Sequence, residues 1–163
     1  MKKALIFLAV ICGAAAVGIS LWPSPATVDS VMDDFHLAEG RGEDMLMDPL
    51  ILNADLVKDR VIQDIMNPEM DKRIYAISFL GNEGIGEAMP VLLHILNDES
   101  EEDPFRNGAL ESIFLIDKRR GKRLAGKYSS RQDSLGQIAR ELLDGSYKPY
   151  VRTRFDAWIG RHD

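Results

Sequence analysis

The chain has 163 residues and carries 26 acids against 20 bases, a formal net charge of −6. That length suits one domain with a sizeable core. Its single cysteine, Cys12, sits within an apolar run, which excludes a disulfide framework and thiol catalysis.

Met1-Lys2-Lys3 supplies positive charge, and Ala4 to Leu21 then runs 18 residues without a charged side chain. A basic start followed by an apolar stretch is the pattern of an export signal. The stretch also reaches the roughly 17–25 residues that can span a bilayer. Two expectations follow for residues 1–26. Either a peptidase cuts after Ser24-Pro25-Ala26, or the segment stays as a membrane anchor with Trp22 at the interface. In both, Lys2 and Lys3 stay inside and the rest of the chain is exported, to a periplasmic or other extracytoplasmic site. Ile11 before Cys12 is a poor match to a lipoprotein site.

Residues 27–42 read as a linker with a short helix, built on Val28, Val31, Met32 and Phe35 and broken at Gly40-Arg41-Gly42. Glu43 to Leu52 reads as another short helical piece, interrupted at Asp48-Pro49. Asp55 is expected to cap a helix carrying Val57, Val61, Ile62 and Ile65, which Asn67-Pro68 stops. Asp71 to Leu80 places Ile74, Ile77 and Leu80 on one face, with Gly81 as a left-handed C-terminal cap. Glu87 to Leu96 follows, with Pro90 in its first turn. After the acidic loop Asp98 to Asp103, Asp103 is expected to cap a helix lined by Phe105, Ala109, Ile113 and Ile116. Gly121 marks a turn. Ser130 and Asp133 resemble a capping box for Leu135, Ile138, Ala139 and Leu142, closed by Gly145. Pro149 is expected to open a last helix whose apolar side is Val151, Phe155, Trp158 and Ile159. No segment shows the alternation of a strand, so the fold class is all-α.

Charge divides along the chain. Asp29 to Asp59 holds nine acids and two bases, Arg60 to Asp117 twelve acids and four bases, and Lys118 to Arg161 twelve bases and four acids. Charge runs of this kind are expected as solvated surface; the functional alternative is a basic face that meets an acidic partner or anionic headgroups.

At a shift of 33 residues Arg73-Ile74-Tyr75-Ala76 falls on Arg106-Asn107-Gly108-Ala109, Leu80 on Ile113 and Ala88 on Gly121. A period of this size signals stacked helix pairs. The small Ala76 and Ala109 let neighbouring helices approach, and each arginine can pair with acids of an adjoining layer. Asp71 to Gly81, with Ala88-Met89-Pro90-Val91-Leu92-Leu93 and Ile95-Leu96-Asn97-Asp98, resembles one unit of the HEAT-like repeat family. Asp103 to Ala125 is similar to a second, degenerate unit. The resemblance implies a short α-solenoid of antiparallel helix pairs over residues 43–163, with a concave protein-binding surface. An irregular helical bundle would meet the same packing needs. The family's pattern carries almost no information about function.

No residue set points to catalysis. His36, His94 and His162 lack a metal-ligand spacing. The serines offer no nucleophile elbow, Gly81 to Gly86 has the wrong order for a dinucleotide turn, and Asp98 to Asp103 lacks an EF-hand pattern. The expectation is therefore a noncatalytic protein-interaction scaffold without cofactor or metal. Its contact residues are expected to be Lys118, Arg119, Arg120, Lys122 and Arg123, with Tyr150, Arg154 and Trp158, because charge beside aromatics is enriched at interfaces. The alternatives are a subunit or accessory of an enzyme with a site on the solenoid surface, and nucleic-acid binding through the basic C-terminal part, against which export and the acidic total argue.

Overall fold

The computed structural model describes residues 25–38, 42, 45–149 and 151–160. The expected signal or anchor segment therefore lies outside the described residues. The described chain is all-helical, with no strand. Its helices are α1 (Val28–Leu37), α2 (Asp48–Leu52), α3 (Ala54–Asp64), α4 (Arg73–Asn82), α5 (Met89–Asn97), α6 (Asp103–Ile116), α7 (Lys118–Tyr128), α8 (Ser134–Asp144) and α9 (Arg154–Gly160). One 3-10 turn, Gly86–Ala88, leads into α5.

Apolar periodicity places α6 at the centre. It packs on α4, α5, α7 and α8, while α1 packs on α2 and α3. Leu80, Leu92, Ile95, Leu96, Leu110 and Ile113 are sealed from solvent in one cluster with Leu50, Ile51 and Ile65. Burying each such side chain is worth about 1.5–3 kcal/mol relative to exposure.

Helices α4 and α6 pack side by side in the same direction. Ile74 and Ile77 of α4 face Gly108 of α6, and Gly81 of α4 faces Ser112. A Cβ on Gly81 would lie 2.5 Å from the Ser112 Cα, so only glycine fits that crossing. The Ser112 hydroxyl also donates to the Ile77 carbonyl at 2.9 Å. Gly81 is thus not the left-handed cap expected from sequence. It lies inside α4, and the positive φ of 65° belongs to Gly84, in the turn that follows. Gly121 likewise lies inside α7, where a Cβ would meet the Phe114 Cα at 2.5 Å.

Arginine and lysine side chains close the C-terminal ends of helices, where carbonyls have no intrahelical donor. Buried Arg73 donates from Nε to the Ile65 carbonyl at the end of α3 (2.7 Å), and Arg106 does the same to Leu96 of α5 (3.3 Å). Arg140 donates to Ser129, the residue that ends α7, at 2.8 Å. Lys72, held at φ 56°, donates its ammonium to the carbonyls of Phe35, His36 and Ala38 at 2.7–3.0 Å and so closes α1. A cation at a helix C-terminus also complements the helix dipole.

Several helix starts differ from expectation. Asn53, not Asp55, stands before α3, and its side chain is turned to the Pro49 carbonyl. Helix α4 begins at Arg73 rather than Asp71 because Lys72 is left-handed. Glu102 stands at the cap of α6, with Asp103 as its first residue. Asp133 alone caps α8, accepting from the Gly136 N–H at 2.9 Å. The last helix begins at Arg154, not Pro149.

Candidate interaction surfaces

Gly145 ends α8 with φ 82°, and the Gly145 and Tyr147 N–H groups both donate to the Glu141 carbonyl at 3.1 Å. The chain then turns back instead of adding a further layer. The Tyr147 hydroxyl meets the Glu111 carboxyl of α6. Arg152 exchanges two bonds with Asn82 at the end of α4, its N–H donating to Oδ1 and its carbonyl accepting from Nδ2, each at 2.8 Å. The described residues 146–149 and 151–153 therefore cross α6 and then α4 as a strap.

The strap ends in a buried ion pair. Arg152 donates from Nε to one oxygen of Asp48 in α2 and from Nη2 to the other at 2.8 Å, and both residues are no more than 5% exposed. Gly160 packs over the pair, where a Cβ would lie 2.9 Å from the Arg152 Nη2. Thr153 and Asp156 cap α9 reciprocally, the Thr153 N–H donating to Asp156 Oδ2 at 2.9 Å and the Asp156 N–H to Thr153 Oγ1 at 3.1 Å. Helix α9 consequently packs on α2. Only its small Ala157 is buried. Phe155, Trp158 and Ile159 are 66%, 55% and 39% exposed.

The Glu111 carboxyl under the strap and the Tyr147 phenol of the strap itself are both shifted. Burial pushes the Glu111 carboxyl above the usual glutamate range; the Tyr147 hydroxyl acts against that shift and the Glu141 charge adds to it. Burial, with Glu111 beside it, also raises the Tyr147 phenol. A carboxyl with a raised folded-state pKa contributes stability that is full below its unfolded value and is lost as pH rises through the folded value. Glu111→Gln is therefore expected to raise the melting temperature at neutral pH, with the gain shrinking toward the ordinary glutamate pKa of about 4.3. Thermal unfolding of both proteins across that range checks it; a gain that is constant with pH contradicts this account.

Helix α7 presents the basic surface. Lys118, Arg119, Arg120, Lys122, Arg123 and Lys127 are all exposed, while Gly121, Leu124 and Ala125 turn inward against its neighbours. The helix contains no acid. None of the six bases forms an ion pair among the described residues, although the Lys118 ammonium lies 5.8 Å from the Phe114 ring centre. Asp117 caps the helix, accepting from the Arg120 N–H at 2.9 Å, and its backbone bonds hold its carboxyl below the usual range. Three bases in the first turn oppose the helix dipole, at a cost on the order of 0.3–1 kcal/mol for each such charge.

Of the contact residues expected from sequence, α7 brings five together. Arg154 and Trp158 lie instead on α9, where Arg154 already meets Glu83 at 3.3 Å and Asp55 at 3.8 Å. Tyr150 lies outside the described residues.

A cleft of about 220 Å³ lies between the α3–α4 turn and the end of α5, lined by Met66, Pro68, Arg73, His94, Asp98 and Glu101. Arg73 is 4% exposed there; it pairs with Glu101 at 2.7 Å, and its Nη1 has no hydrogen-bond partner among the described residues. A shallower groove along α5, lined by Pro90, Leu93, His94 and Asn97, adjoins it. The Tyr128 hydroxyl of α7 donates to Asn97 at 2.8 Å and ties that groove to the basic helix. Among the described residues no group of three or more His, Cys, Asp or Glu side chains is arranged to hold a metal ion.

No protein-family model matches the chain, and no curated protein or solved structure matches it.

Proposed function

We propose that this chain is an exported, noncatalytic scaffold that binds an acidic protein partner through the outer face of α7. The observation that carries the proposal is the six-base surface of α7, unpaired within the described chain and set partly against its own helix dipole. Local features that cost stability without a structural return are expected at functional sites. Exposed like charges also speed encounter with a partner of opposite sign.

The proposal includes a HEAT-like solenoid over α4 to α8 as the frame that holds α7. Support comes from the parallel, glycine-tight crossing of α4 and α6 and from the matched roles of Arg73 and Arg106. Export, with or without retention of the apolar segment as an anchor, rests on Lys2, Lys3 and the uncharged run Ala4 to Leu21. Among the described residues no helix is long and apolar enough to cross a membrane.

The test uses the full chain and a variant with Lys118, Arg119, Arg120, Lys122 and Arg123 all changed to Glu. Circular dichroism first establishes equal helix content. Wild type is expected to capture a partner whose retention falls as salt rises from 50 to 500 mM, conditions chosen because the screening length is about 10 Å at 0.1 M. The variant is expected to lose that partner. Unchanged capture of every partner by the folded variant removes α7 from the proposal.

A further inference from the structure

The strap leaves α9 with an apolar face that the core does not use. Phe155, Trp158 and Ile159 stand at i, i+3 and i+4 of α9, which sets them on one side of that helix, and Val151 lies in the non-helical strap just before it. All four are at least 39% exposed. The other exposed large apolar side chains, Leu37, Leu56, Met66 and Leu143, are scattered over four other segments, as is ordinary for a protein surface. A contiguous aromatic and aliphatic face is not ordinary, and its position in the fold indicates what covers it.

Helix α9 packs on α2, and ion pairs on α3 relate its start to that of α1. Arg154, at the start of α9, reaches Asp55 of α3, and Asp29, in the first turn of α1, reaches Arg60 of the same helix. The two contacts are five residues apart on α3, or roughly 7.5 Å at 1.5 Å per residue. The apolar run Ala4 to Leu21 ends only six residues before α1 begins at Val28. Six residues span at most about 20 Å. If that run is held in a bilayer, α9 is therefore held within reach of the bilayer surface.

We infer that α9 is an interfacial contact: Phe155, Trp158 and Ile159 enter the headgroup and upper acyl region of the membrane that holds residues 4–21. The inference rests on the anchored form of the proposal above. Tryptophan and phenylalanine suit that depth, since an interfacial helix buries its apolar face about 5–10 Å into this boundary. The neighbouring surface decides the kind of lipid. The Asp55 side chain that meets Arg154 is 93% exposed, and the Asp29 side chain at the start of α1 is 86% exposed, so these acids oppose anionic headgroups. The contact is apolar, works on zwitterionic lipid and does not weaken with salt.

The chain has two tryptophans, Trp22 beside the apolar run and Trp158 on α9, and this permits a direct test. Trp22→Phe and Trp158→Phe, each made in the full chain, leave one reporter apiece. Both are reconstituted into phosphatidylcholine vesicles carrying brominated acyl chains. The expected result is quenching in both, with Trp158 blue-shifted, quenched more by bromine near the headgroup end than near the methyl end, and unaffected by added salt. Adding Phe155→Asp to the Trp22→Phe protein is expected to reduce the quenching of Trp158. Quenched Trp22 with unquenched, iodide-accessible Trp158 overturns the α9 contact and leaves the anchor standing. Quenched Trp22 with Trp158 shielded from both iodide and bromine also overturns it, assigning the face to protein instead. Quenching of neither overturns the contact and the anchor together.

Discussion

Arg152→Ala is expected to unlatch the C-terminal segment and to cost about 3–5 kcal/mol, because it leaves the Asp48 carboxylate buried without its counterion. Asp48 is 1% exposed and receives two bonds from one guanidinium, so no water replaces the lost donors without opening α2. Asp48→Ala is expected to cost a similar amount for the converse reason. The double variant Asp48→Leu with Arg152→Met is expected to be far more stable than the sum of the single losses, since neither charge is then buried alone. Arg152→Lys is expected to rescue little, because an ammonium cannot reproduce the forked contact. Urea unfolding gives the energies. Limited trypsin digestion gives the structural consequence: cleavage after Arg154, at the end of the strap, is expected to accelerate in the single variants and to return toward the wild-type rate in the double one. Additive losses, or a strap equally resistant in all variants, would show that the pair does not hold it.

The pair joins residues 104 positions apart, and this explains why no pattern in the sequence exposes it. Asp48-Pro49 reads locally as a helix break, and Arg152 reads as one of many C-terminal bases. Periodicity did reveal the central helices, because α4 and α6 repeat the same packing problem and solve it with residues of the same type. It did not reveal what those residues do. Arg73 pairs with Glu101 of the loop before α6, and both Arg73 and Arg106 also close a preceding helix, which depends on where that helix ends. Gly81 resembles a cap in sequence because glycine serves left-handed turns and tight crossings equally well; only the approach of Ser112 decides between them. On α9 the spacing of Phe155, Trp158 and Ile159 matches a core-facing stripe, yet the buried surface there is Ala157 and the guanidinium of Arg152. The basic face of α7 was the most legible feature of the candidate site. Its charges are contiguous in sequence, and one helix holds them on one side without help from distant residues.

Arg73→Ala and Arg106→Ala are expected to separate, although the two arginines align at a shift of 33 residues. Arg73 closes α3 through Ile65, pairs with Glu101 at 2.7 Å and lies 4.7 Å from the Phe105 ring centre. A charged hydrogen bond contributes about 1.5–3 kcal/mol, and a desolvated cation over a ring adds about 1–2 kcal/mol. These share one side chain and do not sum, so the loss at Arg73 is expected at about 3 kcal/mol. Among the described residues Arg106 makes one side-chain hydrogen bond, to Leu96 at 3.3 Å, and its loss is expected at about 1–2 kcal/mol. Arg73→Lys discriminates further, since one ammonium cannot lie on Phe105 while reaching both Ile65 and Glu101. It is expected to recover less than half of the loss. Glu101→Gln keeps an acceptor for Nη2 and removes only its charge, so it is expected to cost least. Urea midpoints at constant m-value order the four variants as Arg73→Ala, Arg73→Lys, Arg106→Ala and Glu101→Gln, from most to least destabilised. Equal losses at Arg73 and Arg106 would mean that the shared helix-closing bond dominates and that the pairing with Glu101 and Phe105 contributes nothing.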